Sequence, residues 1–202
     1  MDENTTKENQ NTGKNNHLNR VALVLVVLGL LVFVLLRKDN TPAPEPNQLK
    51  LVDAVKKDDL FFARDGTNPF TGLMIDDYKT GAIKSKTFIS DGLLHGLSQA
   101  WYTNGQLQVT EYFDRGISDG LRTKWREDGS KLSEGTIVQG EFQGVFRKWH
   151  PNGQLSQEIN MVDGKAHGVS RSWYKSGALK SKVVMENGDV KEQEFFKEEG
   201  AD

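Results

Sequence analysis

From residue 70 to residue 187 apolar and polar side chains alternate in short runs, and the runs recur every 24 residues. Alternation of this kind is the signature of a strand with one apolar face. In the first run of each period an apolar residue stands at Leu73, Leu97, Leu121, Val145 and Val169. Four residues beyond the last four of these lie Trp101, Trp125, Trp149 and Trp173, all the tryptophans of the chain. The second run carries Ile83, Leu107, Leu155 and Leu179 just after it starts, and Ile89, Phe113, Ile137, Met161 and Met185 near its end. Between the runs, Thr80, Asn104, Asp128, Asn152 and Ser176 each precede a glycine, in the manner of a hairpin turn. Each period therefore predicts a β-hairpin, for example Leu97 to Tyr102 and back along Gln106 to Phe113. Five hairpins fill residues 70–187.

A fixed period in this range marks a repeat architecture, in which each unit buries apolar surface only against its neighbours. The predicted fold is all-β: an elongated antiparallel sheet of five stacked hairpins. Its repeat core is Trp101, Trp125, Trp149 and Trp173 with Leu97, Leu107, Leu155 and Leu179, the indoles sealed between hairpins. A three-residue loop at Thr103-Asn104-Gly105 sets Trp101 opposite Leu107, with the glycine left-handed. The third unit has Lys131 in the leucine slot and Leu132 one place later. A two-residue loop there would restore the Trp125–Leu132 pair, with Gly135 as a compensating bulge. The first unit carries Asp77 in the tryptophan slot, as an end repeat can. Leu60 to Ala63 reads as a leading strand and Gln193 to Phe196 as a trailing one. Gln48 to Asp59 is ambiguous between a short helix and irregular chain.

The amino-terminal part changes the picture. Residues 1–20 are polar and rich in Asn, as disordered tails are. Val21 to Leu36 is an uncharged apolar run bordered by Arg20, Arg37 and Lys38. Sixteen helical residues reach about 24 Å, short of a ~30 Å hydrocarbon core, yet basic flanks can snorkel. Residues 21–38 therefore predict one transmembrane helix, an uncleaved anchor favoured over a cleaved signal peptide. Residues 39–59, with Pro42, Pro44 and Pro46, read as a proline-rich linker and lead-in, 60–196 as the repeat domain, and 197–202 as a tail. The expectation is a single-pass protein of a bacterial inner membrane with its repeats outside the cytoplasm.

Charge and composition exclude some functions. The 202 residues carry a net charge of −2 and no cysteine. Disulfides and thiolate chemistry are excluded, and nothing suggests the basic face that nucleic-acid binding needs. His95 and His167 share a slot but lie three repeats apart, too far to bind one metal. Adjacent carboxylates such as Asp76/Asp77 and Glu198/Glu199 point to opposite faces of a strand. The glycines follow hairpin turns, not a phosphate-binding strand-to-helix turn. No catalytic, cofactor or metal site is predicted. The slot after the tryptophans, Tyr102, Arg126, His150 and Tyr174, points away from the tryptophan face and is the candidate partner-binding stripe.

The pattern G-x-x-H-G-x-x-x-x-W-Y-x-N-G-x-L at Gly92–Leu107, repeated with Ser for Asn at Gly164–Leu179, resembles MORN-repeat variants. More closely it is similar to the bacterial YwqK-type antitoxin family, as is the opening Pro69-Phe70-Thr71-Gly72. The resemblance spans about Leu60 to Phe196. It implies an elongated sheet of stacked hairpins that binds another protein, for instance a toxin, with membrane association and self-association as further options. The reading is a membrane-anchored, non-enzymatic scaffold for a protein partner. The alternative is an envelope structural module that binds glycan or lipid.

Overall fold

The computed structural model describes residues 46–198, and these form an all-β unit. In chain order the strands are β1 (Gln48–Lys50), β2 (Ala54–Lys57), β3 (Leu60–Ala63), β4 (Gly72–Asp77), β5 (Ile83–Ser90), β6 (Leu93–Trp101), β7 (Leu107–Asp114), β8 (Ile117–Ser118), β9 (Gly120–Trp125), β10 (Lys131–Val138), β11 (Glu141–Trp149), β12 (Leu155–Val162), β13 (Lys165–Ala166), β14 (Gly168–Trp173), β15 (Leu179–Glu186) and β16 (Asp189–Phe195). Fourteen of them make one sheet in the order β1-β4-β5-β6-β7-β9-β10-β11-β12-β14-β15-β16, with β8 on β7 and β13 on β12. Pairing is antiparallel except at β1, which runs parallel to β4.

Two sequence expectations about the periphery are corrected. The anticipated transmembrane segment, residues 21–38, lies outside the described residues. Among the described residues no helix is long and apolar enough to cross a membrane. Leu51–Asp53 forms a single 3₁₀ turn, about 6 Å at ~2.0 Å per residue. Among the described residues the fold is therefore strands with that one 3₁₀ turn, and the combination of sheet and spanning helix is not what they form. Leu60 to Ala63 is a strand, but it pairs with β2 in a separate two-stranded sheet rather than leading the main one. The Gln48–Asp59 stretch supplies β1 and β2.

The turns explain why these segments form hairpins. At the tryptophan end, the Tyr102 N–H donates to the Gln106 carbonyl at 2.8 Å and the Gly105 N–H to the Tyr102 carbonyl at 3.0 Å. Gly105 sits at φ 83°, the left-handed residue of a three-residue bulged loop. Trp101 then faces Leu107 across the strands. The same two bonds close all five such turns, the third included. The two-residue loop expected at Asp128-Gly129 is thus corrected: Trp125 faces Lys131, and Leu132 is the extra residue of the bulge, 37% exposed. Local bonding wins there. The Asp128 carboxylate accepts the Ser130 N–H at 2.8 Å, whereas burying Leu132 on a half-open face would gain little.

At the other end the hairpins join through two-residue turns. Asp91, Arg115, Gln139, Asp163 and Asn187 all have positive φ, each followed by a positive-φ glycine. That pair of conformations defines the turn whose twist matches the strands.

Alternation along β6 and β7 divides the sheet into two faces. One, the tryptophan face, carries Leu97, Gln99 and Trp101. The other, the grooved face, carries Ser98, Ala100, Val109, Glu111 and Phe113. The fully buried aliphatics, Ile89 and Ile137, lie on the grooved face near the two-residue turns. Leu97, assigned to the core from sequence, is 38% exposed, and Leu121 and Val145 in its slot are also open. A single-layer sheet has nothing to lay over its second face.

Gly135 is not the expected bulge. The register irregularity opposite it comes from extra residues in β11, around Gly144, as around Gly96 in β6. Gly135 makes room instead: a Cβ there would lie 2.7 Å from Phe146 Cδ2 and 3.0 Å from Phe142 Cε1. Elsewhere this slot holds Thr87, Glu111, Ile159 and Val183, while the Phe146 slot holds Ser98, Arg122 and Ser170. Bulk has been moved from one strand to its neighbour. Gly135→Ala should cost about 1–3 kcal/mol through overpacking. In a Phe146→Ser background the same change should cost clearly less. Urea unfolding of the four-member cycle measures both.

Candidate binding surface

The slot after each tryptophan is a clasp between repeats. The Tyr78 hydroxyl donates to the Trp101 carbonyl at 2.8 Å, and Tyr102 to Trp125 at 2.9 Å. The Arg126 guanidinium donates to the Trp149 carbonyl. His150 Nε2 lies 2.8 Å from the Trp173 carbonyl oxygen, so Nε2 carries the proton it donates. The Tyr174 hydroxyl donates to the Phe196 carbonyl at 3.0 Å. The cause is a short ladder. At each junction it stops one residue before the tryptophan, at Ser85–Ala100, Val109–Lys124, Ser133–Lys148 and Gln157–Ser172, so the tryptophan carbonyl lacks a strand partner. A buried carbonyl needs a donor, and a long polar side chain supplies it. Asn104 and Asn152 add bonds to the carbonyls of Glu127 and Lys175.

Tyr102, Arg126, His150 and Tyr174 are accordingly half-buried, and the expectation of an exposed stripe is corrected. Alternation told which way these residues leave the strand. It did not tell that the next repeat's carbonyl lies within their reach.

The tryptophans are half-buried rather than sealed. Trp101, Trp149 and Trp173 face Leu107, Leu155 and Leu179, all half-buried too. The Lys131 ammonium lies 5.1 Å from the Trp149 ring centroid. Among the described residues Phe142 and Phe146 form the one close aromatic pair, edge-on with centroids 5.0 Å apart.

The grooved face carries two cavities. One, of about 370 Å³, is lined by Arg122, Lys124, Ser133, Phe142, Phe146 and Lys148, among others. Another, of about 200 Å³, lies one repeat on, between Gln157, Ile159, Ser170, Ser172, Ser181 and Met185. Beside the first, Glu111 accepts from both Arg122 and Ser118. The Arg122 guanidinium stands 5.7 Å from the Phe142 centroid, and the Lys148 ammonium 5.7 Å from that of Phe146. Arg122 Nε and Ser170 Oγ are buried and have no partner within the protein.

Other candidate chemistry is dispersed. His95 Nδ1 is 3.4 Å from Asp114 at an exposed position. His167 is exposed three repeats away. Among the described residues no three His, Asp or Glu side chains are placed to hold a metal. Asp128 has its pKa lowered from the usual aspartate value, first by the Ser130 hydroxyl and then by the Ser130 N–H.

These features define a β-hairpin repeat protein built on one long main sheet. Three of its units, residues 94–115, 142–163 and 166–187, match the family model described as MORN repeat variant. The third unit, which has Lys131 in the leucine slot and Gly135 under Phe146, lies outside those matches. No curated protein matches the chain. Among solved structures, a TarM mutant of S. aureus in complex with fondaparinux, alpha-GlcNAc-glycerol and UDP aligns with 47% of this chain and 19% of its own, at 10% identity and a TM-score of 0.32. A likeness that slight carries no argument.

Two outcomes follow from the turn chemistry. Tyr102→Phe leaves the Trp125 carbonyl without its donor and should destabilise the unit by about 1 kcal/mol, read from the denaturant midpoint. Asp128 has a lower pKa folded than unfolded, so its contribution is present above the unfolded aspartate pKa and lost as pH falls through the folded one. The stability difference between the protein and Asp128→Ala should therefore exist at neutral pH and fade below the ordinary aspartate range, in melting curves taken across pH.

Proposed function

We propose that this chain is a non-enzymatic repeat scaffold that presents its sheet to a protein partner, in an antitoxin-like, immunity-like or assembly role. The observation that carries the reading is the open grooved face, where two shallow cavities lie one repeat apart along a single sheet. Repeat sheets offer an extended surface whose side chains vary from unit to unit over a constant frame. Here the slot of Ser98, Arg122, Phe146 and Ser170 varies in that way. The titratable side chains are spread along the sheet rather than gathered with a nucleophile, which favours binding over catalysis. The match of three units to the MORN repeat variant model supports the scaffold part of this proposal.

Affinity capture with the tagged full chain, followed by mass spectrometry, tests it. A protein recovered in fixed proportion to the bait is expected. Recovery of no protein by bait whose circular dichroism is native would overturn the reading, as would turnover of a small-molecule substrate by the purified chain.

A further inference from the structure

Resting on that reading, we propose that the grooved face binds an extended acidic segment of the partner, laid across the strands from the Arg122–Lys124–Lys148 cavity toward Ser170 and Ser172. Charge selects the ligand class. Lys124 and Lys148 have no carboxylate partner among the described residues, and Glu111 is taken up by Arg122 and Ser118. The rim of the larger cavity thus carries unbalanced positive charge above an apolar floor of Phe142 and Phe146. Both rings have cations beside them, and Gly135 leaves them room. Carboxylates at the rim and an apolar side chain on the rings satisfy that arrangement together.

The geometry selects an extended chain. Arg122 and Ser170 stand in the same slot two repeats apart, and each holds a buried polar atom without a partner. Two repeats are four strands, about 19 Å at ~4.8 Å per strand. Roughly six extended residues cover that distance. A nucleic acid fits less well. Its phosphates need cations along the whole track, whereas the second cavity has Arg171 as its one cation among hydroxyls, Gln157 and apolar side chains.

Fluorescence anisotropy tests the proposal with a labelled hexapeptide, Glu-Glu-Leu-Glu-Leu-Ser, and a counterpart with Lys at each Glu position. The intact chain should bind the acidic peptide and not the basic one, with affinity falling as salt rises. Lys124→Glu combined with Lys148→Glu should weaken binding at least tenfold. Lys182→Glu, on the tryptophan face, should leave it unchanged. Unaltered circular dichroism and melting show that each variant is folded. Binding unaffected by the double substitution overturns the proposal, and so does no binding at low salt. Preference for phosphatidylserine vesicles over the peptide overturns it in favour of a lipid surface. If the double variant still captures the partner recovered by the unaltered chain, the groove assignment falls while the scaffold reading stands.

Discussion

Each hairpin is held to the next by a strand ladder and, beyond the ladder's ends, by carbonyls and N–H groups that it does not reach. At one edge the polar tip of Tyr78, Tyr102, Arg126, His150 or Tyr174 crosses to the following unit's carbonyl. At the other edge the N–H of Gly92, Gly116, Gly140, Gly164 or Gly188 reaches back 22 residues to the preceding unit. The pairing of the strand ends depends on these two series. Strands that splay toward their turns would otherwise leave backbone groups without partners, and an unpaired buried group costs more than a made bond returns. The requirement is for reach and a donor, not for a particular residue. Tyr, Arg and His can therefore alternate in one slot without disturbing the frame.

Apolar burial plays a smaller part than in a two-layer fold. Met74, Ile75, Ile89 and Ile137 are the buried apolar side chains among the described residues. The tryptophans contribute half-buried surface against the cross-strand leucines. Because much of each face stays open, many of its side chains are free to vary, provided bulk is exchanged between neighbours as at Gly135 and Phe146. The third unit illustrates the latitude: it replaces the slot leucine with Lys131, and that lysine turns its ammonium toward Trp149 of the next unit. A frame set by backbone bonding tolerates such changes, and that tolerance suits a binding surface.

The hairpins, their turns and their number were legible from the chain because the determinants are local. Asn104-Gly105 dictates its loop through left-handed glycine and a side chain that bonds the backbone two residues on. Period-2 alternation dictates which residues share a face. Where local and longer-range terms competed, the sequence reading went astray. Leu132 seemed to demand a shorter loop because a buried leucine would have been worth more than the turn, and the face proved too open for that. Leu97 was placed in a core that a one-layer sheet does not have. Tyr102, Arg126, His150 and Tyr174 were read as exposed because nothing in alternation reports what lies 23 residues further along the chain. The expected membrane helix falls in residues the structure does not describe.

The sequence by itself determined the repeat: its 24-residue period, its three-residue turn after the tryptophan and the pairing of Trp101 with Leu107, since each follows from backbone preferences within a few residues. Only the tertiary structure decided how the repeats are joined and what their faces offer. Those depend on distances between residues one or two periods apart, and such distances are set by the spacing and splay of strands rather than by any neighbour in the chain.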